Sequence, residues 1–205
     1  MRDAIETIEY KGYEIGLFQD ESAESPREWD NLGTMLCLHP RYDLGDKHEL
    51  DAKEIIEISN RKDVLALPLV LLDHSGLWMK VWSGWAEDPG GWDTPRVGII
   101  YVTYEKIKKE YSCKYITKKV LAKAERLMRA EVKEYSSYLE GAVCGWVVED
   151  KDGEVIESVW GYYGGEGWDR AIAEAKECID YRVSDELYQK RMGEQMELFG
   201  EEVRR

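Results

Sequence analysis

Residues 97–103 read VGIIYVT, a run of β-branched and aromatic side chains that suits a pleated, half-buried surface and predicts a strand. The segments on its C-terminal side set the fold class. Residues 104–111 carry the pattern of a short helix. Residues 117–140 carry that of a long one, with Val120, Leu121, Ala124, Leu127, Met128, Val132, Tyr135 and Leu139 on one stripe. Lys119, Lys123, Arg126 and Lys133 fall largely outside the stripe, and Gly141 supplies the stop. Strands resume at 142–163 as a hairpin, with Asp150-Lys151-Asp152-Gly153 giving the turn chemistry. A last helix runs from 168 to 188 or beyond, with Ile172, Ala175, Ile179 and Val183 near one face; the polar stretch 194–205 reads as a frayed tail.

Upstream, residues 65–72 form a continuous apolar run bearing Pro68, whose missing N–H places it at a sheet edge or at the start of the strand. Asp73-His74-Ser75-Gly76 reads as a turn, 77–82 as an antiparallel return, and 84–95 as a loop holding Trp85 and Trp92. A helix is expected within 46–62, where Leu50, Ile55, Ile56 and Ile58 partly follow helical spacing and Asp51 and Glu54 lie near the start. Residues 4–10 and 13–18 make a hairpin around Lys11-Gly12. Strands joined by hairpins and mixed with few helices give an α+β fold. It is expected as a mostly antiparallel sheet with a long central helix and a C-terminal helix, in one domain over 1–193.

Residues 25–46, SPREWDNLGTMLCLHPRYDLGD, are the densest run of special residues. Ser25 caps, Pro26 suits the first helical position, Glu28 reaches back to close a capping box, and Gly33 ends a very short helix. Residues 34–38 come next as a buried strand, and His39-Pro40 forces an extended exit, because a residue before proline avoids the α region. Those tasks leave Trp29, Asp30, Asn31, His39, Arg41 and Asp43 without a local duty. They are the candidate binding residues, and Asp73, His74, Trp92 and Asp93 are the ones expected to meet them.

Three blocks resemble a widespread family of small proteins of phages, prophages and related mobile elements. They are SPREWDNLGTM at 25–35 with the adjoining HPRYDLGD, LPLVLLDHSG at 67–76 with GWDTPRVGIIYVT at 91–103, and YLEGAVCGWVVEDKDGEVIESVWGYYG at 138–164. The resemblance implies a phage-derived accessory protein acting inside a host cell. It brings no activity, cofactor or catalytic residue with it, and the tryptophan-rich stretch 78–89 departs from the family pattern.

The 205 residues suffice for a sizeable core. No stretch approaches about 18 uninterrupted apolar residues, so no membrane span is expected. The start, MRDAIETIEY, lacks the apolar region of a signal peptide, which predicts a cytoplasmic location. Cys37, Cys113, Cys144 and Cys178 are widely spaced with no CxxC and read as reduced core residues. The net charge of −14 is uneven: −9 over 1–60, +3 over 61–141 and −8 over 142–205. Binding to a phosphate backbone needs clustered Lys and Arg, so this balance argues against it. It fits an anionic face presented to a basic partner.

A metal reading takes His39 and His74 with Asp43, Asp73 or Asp30, ligands that suit zinc, manganese or iron. The spacing matches no metal motif such as HExxH. The plainer alternative has Asp73 bonding backbone amides in a turn and His39 satisfied in the core or a loop. Ser75 directly after His74 does not make a triad. Gly164-Gly165-Glu166-Gly167 lacks the Lys-Ser/Thr of a phosphate-binding loop and reads as a flexible connection. Eight Trp and 13 Tyr stand against two Phe, which suits either half-exposed recognition surfaces or a core using Trp in place of Phe. Trp78, Trp82, Trp85 and Trp92 concentrate in one segment, and Trp146 and Trp160 are expected to face each other across the 142–163 hairpin.

Three function classes compete on these grounds. The favoured one is a non-catalytic counter-defence inhibitor that binds a host nucleic-acid-processing or defence protein through acidic and aromatic surface. The second is a binder that sequesters a small, nucleotide-like ligand. The third is a metal-assisted hydrolase using Asp30, His39, Asp73 and His74.

Overall fold

The computed structural model of the chain describes residues 4–73, 76–82 and 96–202, with side chains described as far as residue 193. Its elements begin with β1 (Glu6–Tyr10), β2 (Tyr13–Gln19), a 3-10 turn (Pro26–Glu28), β3 (Thr34–Cys37), α1 (Ala52–Ser59), β4 (Val64–Asp73) and β5 (Leu77–Val81). They continue with β6 (Arg96–Thr103), α2 (Tyr104–Glu110), α3 (Lys118–Leu139), β7 (Val143–Glu149), β8 (Val155–Tyr163) and α4 (Gly164–Glu202). The fold is α+β, as the sequence predicts, but its strands form two four-stranded sheets, ordered β1-β2-β7-β8 and β3-β6-β4-β5. Every pairing in them is antiparallel. The chain divides into two compact units, a middle unit of residues 24–142 and an end unit built from both termini, up to 23 and from 143.

In the middle unit, one sheet face packs Leu67, Leu69, Leu71, Ile100 and Val102 with Ala124, Met128, Val132 and Tyr135 of α3. Thr117 starts that helix by accepting from the Val120 amide, and Gly141 (φ +68°) lies just past its end. Helical spacing puts Leu127 on the buried stripe, but it is exposed, and Glu131 is buried in its place. The opposite sheet face carries α1, whose Ile55 packs on Leu36 and Ile99. Asp51 and Glu54 close a full capping box at the start of α1.

Pro68 corrects the sequence reading. Its strand is interior, paired with β6 on one side and β5 on the other. The β5 ladder ends at Leu69, and the Pro68 carbonyl accepts from the Trp82 amide just past that end. The missing N–H faces the same side, opposite Trp82 and just past the last ladder pair, so the proline forgoes only the bond that would extend the β5 ladder by one residue and leaves the β6 side of the strand intact. Among the described residues β5 is the edge of its sheet, and the Met79 amide there donates to Ser136 Oγ of α3. A helix thus caps part of the edge that would otherwise invite another strand.

In the end unit, Lys11 (φ +51°) and Gly12 (φ +83°) supply the two left-handed residues of the β1–β2 turn. One sheet face packs Ile15, Leu17, Cys144, Trp146 and Val148 against Ala171, Ala175 and Ile179 of α4. Trp146 and Trp160 do not face each other. The register partner of Trp146 is Val159, and a bulge sets Trp160 and Gly161 (φ +86°) against the single residue Gly145. Trp146 is buried under α4, its Nε1 donating to the Tyr162 hydroxyl, while Trp160 lies on the other face. Residues 164–167, read from sequence as a flexible connection, form the first turn of α4. At Gly167 a Cβ would lie 2.8 Å from the Tyr162 carbonyl carbon, so only glycine allows this close approach to β8. The helix continues to Glu202, past the point where the sequence suggests a frayed tail.

Gly98, paired with Cys37 across β3 and β6, tests the packing of the middle sheet. A Cβ there would sit 1.9 Å from the Leu36 carbonyl oxygen. Gly98→Ala is expected to destabilise the protein by about 1–3 kcal/mol, as overpacking against backbone does. Urea denaturation tracked by tryptophan fluorescence measures this; an unchanged midpoint would refute the close approach.

Candidate functional site

The stretch that looks richest in sequence folds around one buried cation. Ser25 accepts from the Arg27 amide and Pro26 opens the turn, as the sequence suggests, but the turn is a three-residue 3-10 stretch closed at Trp29 and not a helix running to Gly33, and it is Arg27 and not Glu28 that meets the Ser25 side chain. The turn directs Arg27 inward, where its side chain is only 4 % exposed. Its Nε and Nη2 donate to the two carboxylate oxygens of Asp46, both at 2.8 Å, and Nη2 also donates to the Gly33 carbonyl at 2.7 Å. Nη1 lies 3.6 Å from Glu131 Oε2 without a hydrogen bond, so that arm is purely ionic.

The carboxylates in turn receive backbone amides: Leu32 and Gly33 donate to Glu131, and Met35 to Asp46. Burial holds the Glu131 carboxyl above its ordinary 4.5, against the opposing pull of those amides and of Arg27. Asp43, Asp46, Lys47, Tyr135 and Tyr138 are among the walls of an adjoining polar cavity of about 440 Å³. The Gly45 amide donates to the Tyr135 hydroxyl at its edge.

At the far end of β3 a second cluster forms on the surface. The Leu38 amide donates to the Val97 carbonyl, after which His39-Pro40 turns the chain away. The rings of His39 and Tyr42 stack with centroids 4.9 Å apart. Arg41 pairs with Asp73 at the end of β4, and the Tyr42 hydroxyl donates to the same carboxylate at 3.4 Å. His39 Nδ1 accepts from the Arg41 amide, which orients the ring locally. The third histidine is structural: His48 Nε2 meets the Cys37 carbonyl, and its Nδ1 accepts from the Leu50 amide.

The predicted site residues therefore separate. His39, Arg41 and Asp73 come together, linked through Tyr42. Trp29, Asp30 and Asn31 lie at the opposite end of β3, roughly 13 Å away along a four-residue strand. Asn31 is used locally, its amide donating to the Pro26 and Trp29 carbonyls, and its own carbonyl accepts from Lys106. Asp43 goes to the polar cavity. His74, Trp92 and Asp93 lie outside the described residues, so the metal set of His39, His74 and Asp73 is described only in part. Among the described residues, no group of three or more His, Cys, Asp or Glu is placed to hold a metal.

Sequence reasoning missed Arg27, Asp46 and Glu131. Glu131 had a signal, since it sits at helical spacing between Met128 and Tyr135 on an apolar stripe. Arg27 had none, because a basic residue inside a capped turn is ordinarily solvated. The reading also missed an apolar groove of about 500 Å³ between α1 and the β4–β6 face, walled by Leu38, Ile56, Pro68, Arg96, Val97 and Ile99 among others. The Arg96 guanidinium lies 4.1 Å from the centroid of the Trp82 ring. Among known proteins, no family model, curated protein or solved structure matches the chain.

The buried cation makes two outcomes measurable. Arg27→Met leaves the buried Glu131 and the half-buried Asp46 without their counter-ion and is expected to cost about 3 kcal/mol, read from chemical denaturation. Glu131 supplies a pH dependence. Its folded-state value is raised, so its contribution to stability is full below the ordinary 4.5 and is lost as pH rises through the folded-state value. The Tm of wild type minus that of Glu131→Gln should therefore decrease as pH is raised above 4.5; an increase would contradict this sign.

Proposed function

We propose that the protein is a non-catalytic accessory protein of a phage or related mobile element. It acts in the host cytoplasm, where it binds and restrains a host protein of nucleic-acid processing or defence. The observation that carries this reading is the apolar groove on the middle unit, with Leu38 and Ile56, 42 % and 58 % exposed, among its walls. An eight-residue helix covers only part of its sheet face, and the uncovered apolar surface is of the kind that partner-binding sites use. The helix and its approach carry Glu49, Asp51, Glu54 and Glu57 against Lys53, which favours a basic partner segment.

The way polar residues are occupied supports a non-catalytic role. Asp73 is engaged by Arg41 and Tyr42, Asp46 and Glu131 by Arg27 and backbone amides, and burial pushes the Cys37 thiol up to about 12, far from a reactive thiolate. The resemblance of the three sequence blocks supports the phage origin. A second reading, a small nucleotide-like ligand in the same groove, draws on Arg96 and its stack on Trp82.

Affinity capture from an infected host should recover one host protein at near-stoichiometric level with wild type and lose it with Ile56→Glu, whose Tm should match wild type because Ile56 is exposed. Empty capture, or equal capture by both proteins, would count against the reading. Release of a nucleotide from denatured wild type, detected by mass spectrometry, would favour the small ligand instead.

A further inference from the structure

The end unit carries a surface that does not depend on the groove. Its four strands contain five glutamates, Glu6, Glu9, Glu14, Glu149 and Glu157, and no lysine or arginine. Three of these are aligned. The register sets Glu9 opposite Glu14 and Glu14 opposite Glu149. Strand alternation puts all three on the face away from α4, because Ile15, Leu17, Trp146 and Val148 occupy the other. A row of carboxylates thus crosses β1, β2 and β7 at steps of about 4.8 Å. Like charges directly opposite destabilise a sheet, so folding alone gives no reason for the row.

The same face changes character along the strands. Two residues on from the glutamates lies a row of small or modest side chains, Thr7, Gly16, Val147 and Ser158. Two further on lie Phe18, Gly145 and Trp160. A Cβ on Gly145 would meet the Trp160 ring at 2.4 Å, and one on Gly16 would meet the Phe18 ring at 2.6 Å. Glycine weakens a strand interior, but at these two positions it lets both aromatic rings lie down on the sheet, their centroids 6.5 Å apart. The bulge at Gly161 brings Trp160 over Gly145 and leaves it 41 % exposed.

We infer that this sheet face is a docking surface for a basic, extended segment of a partner protein. Lysine or arginine side chains of the segment meet the glutamate row, and an apolar anchor rests on Phe18 and Trp160. The acidic and aromatic rows are four residues apart, about 13 Å along the strands. An extended segment lying along them therefore carries its cationic residues and its anchor four positions apart. Charge complementarity selects the occupant, since a face with three aligned carboxylates and no strand cation repels acidic segments and phosphate backbones.

The test titrates the full-length protein, by calorimetry at low salt, with a synthetic peptide bearing two arginines four residues from a leucine. Glu9→Gln/Glu14→Gln/Glu149→Gln should weaken binding at least tenfold while raising Tm, because relief of repulsion stabilises the sheet. Trp160→Ala should weaken it severalfold. Glu28→Gln/Glu105→Gln/Glu110→Gln removes the same charge from exposed positions of the middle unit outside the acidic set at the groove and should change binding less than twofold. Absence of binding by wild type, equal loss in the two triple variants, or indifference to Trp160→Ala would each overturn the inference.

Discussion

The bidentate pairing of Arg27 with Asp46 is the interaction on which the organisation of the middle unit depends. A guanidinium removed from water must have its charge and its donors met. Here the charge is met by two carboxylates and the Nε and Nη2 donors by Asp46 and a carbonyl, while Nη1 faces Glu131 without a hydrogen bond. The partners come from three separate places: the turn before β3, the loop after it, and the middle of α3. The same carboxylates collect the amides of Leu32, Gly33 and Met35, which lead into and start β3. One cation therefore satisfies the irregular backbone on which the sheet begins, and it fixes where the loop 38–46 starts and stops.

Around that fixed frame, the chemistry faces outward. The histidine, arginine and aspartate that sequence reasoning picked out are drawn into a surface knot of stacking and ion pairing, worth little in stability at that exposure. The exposed apolar area lies elsewhere, where α1 is too short to cover its sheet and where two glycines seat aromatic rings on the end sheet. Both surfaces lie near acidic side chains. The charge that composition reports as a single number is thus distributed as bordered patches, which is how charge acts in association.

What was legible in the sequence was local. Lys11-Gly12, Thr117, Gly141, the Asp51-Glu54 box and the Asp150 turn each encode their geometry within a few residues, and the elements they bound appear close to where spacing puts them. What was not legible depended on pairing over long sequence separation. Nothing near β2 says that it lies beside β7, so a chain with one sheet's worth of hairpins reads as one sheet when it has two. Pro68 misled for the same reason, since its tolerance depends on where β5 happens to end. The candidate site was half legible: His39, Arg41 and Asp73 gather, but β3 carries Trp29, Asp30 and Asn31 to the opposite end, and the buried ion cluster gave itself away only through Glu131.

The pairing of β2 with β7 has a consequence for how the protein is made. Gln19 and Cys144 are register partners, and the Asp20 amide donates to the Val143 carbonyl, so the chain leaves the end unit and re-enters it at adjacent strand ends. The middle unit is in effect an insertion between two neighbouring strands. During synthesis it is complete on the ribosome while β1 and β2 still wait for the strands and helix that cover them. Because it is then compact, pairing β7 with β2 around it costs less entropy than closing an unfolded loop of the same length. The nascent hairpin at the amino terminus is a template held in waiting, and the interval before β7 emerges is when it is most open to pairing with the wrong strand.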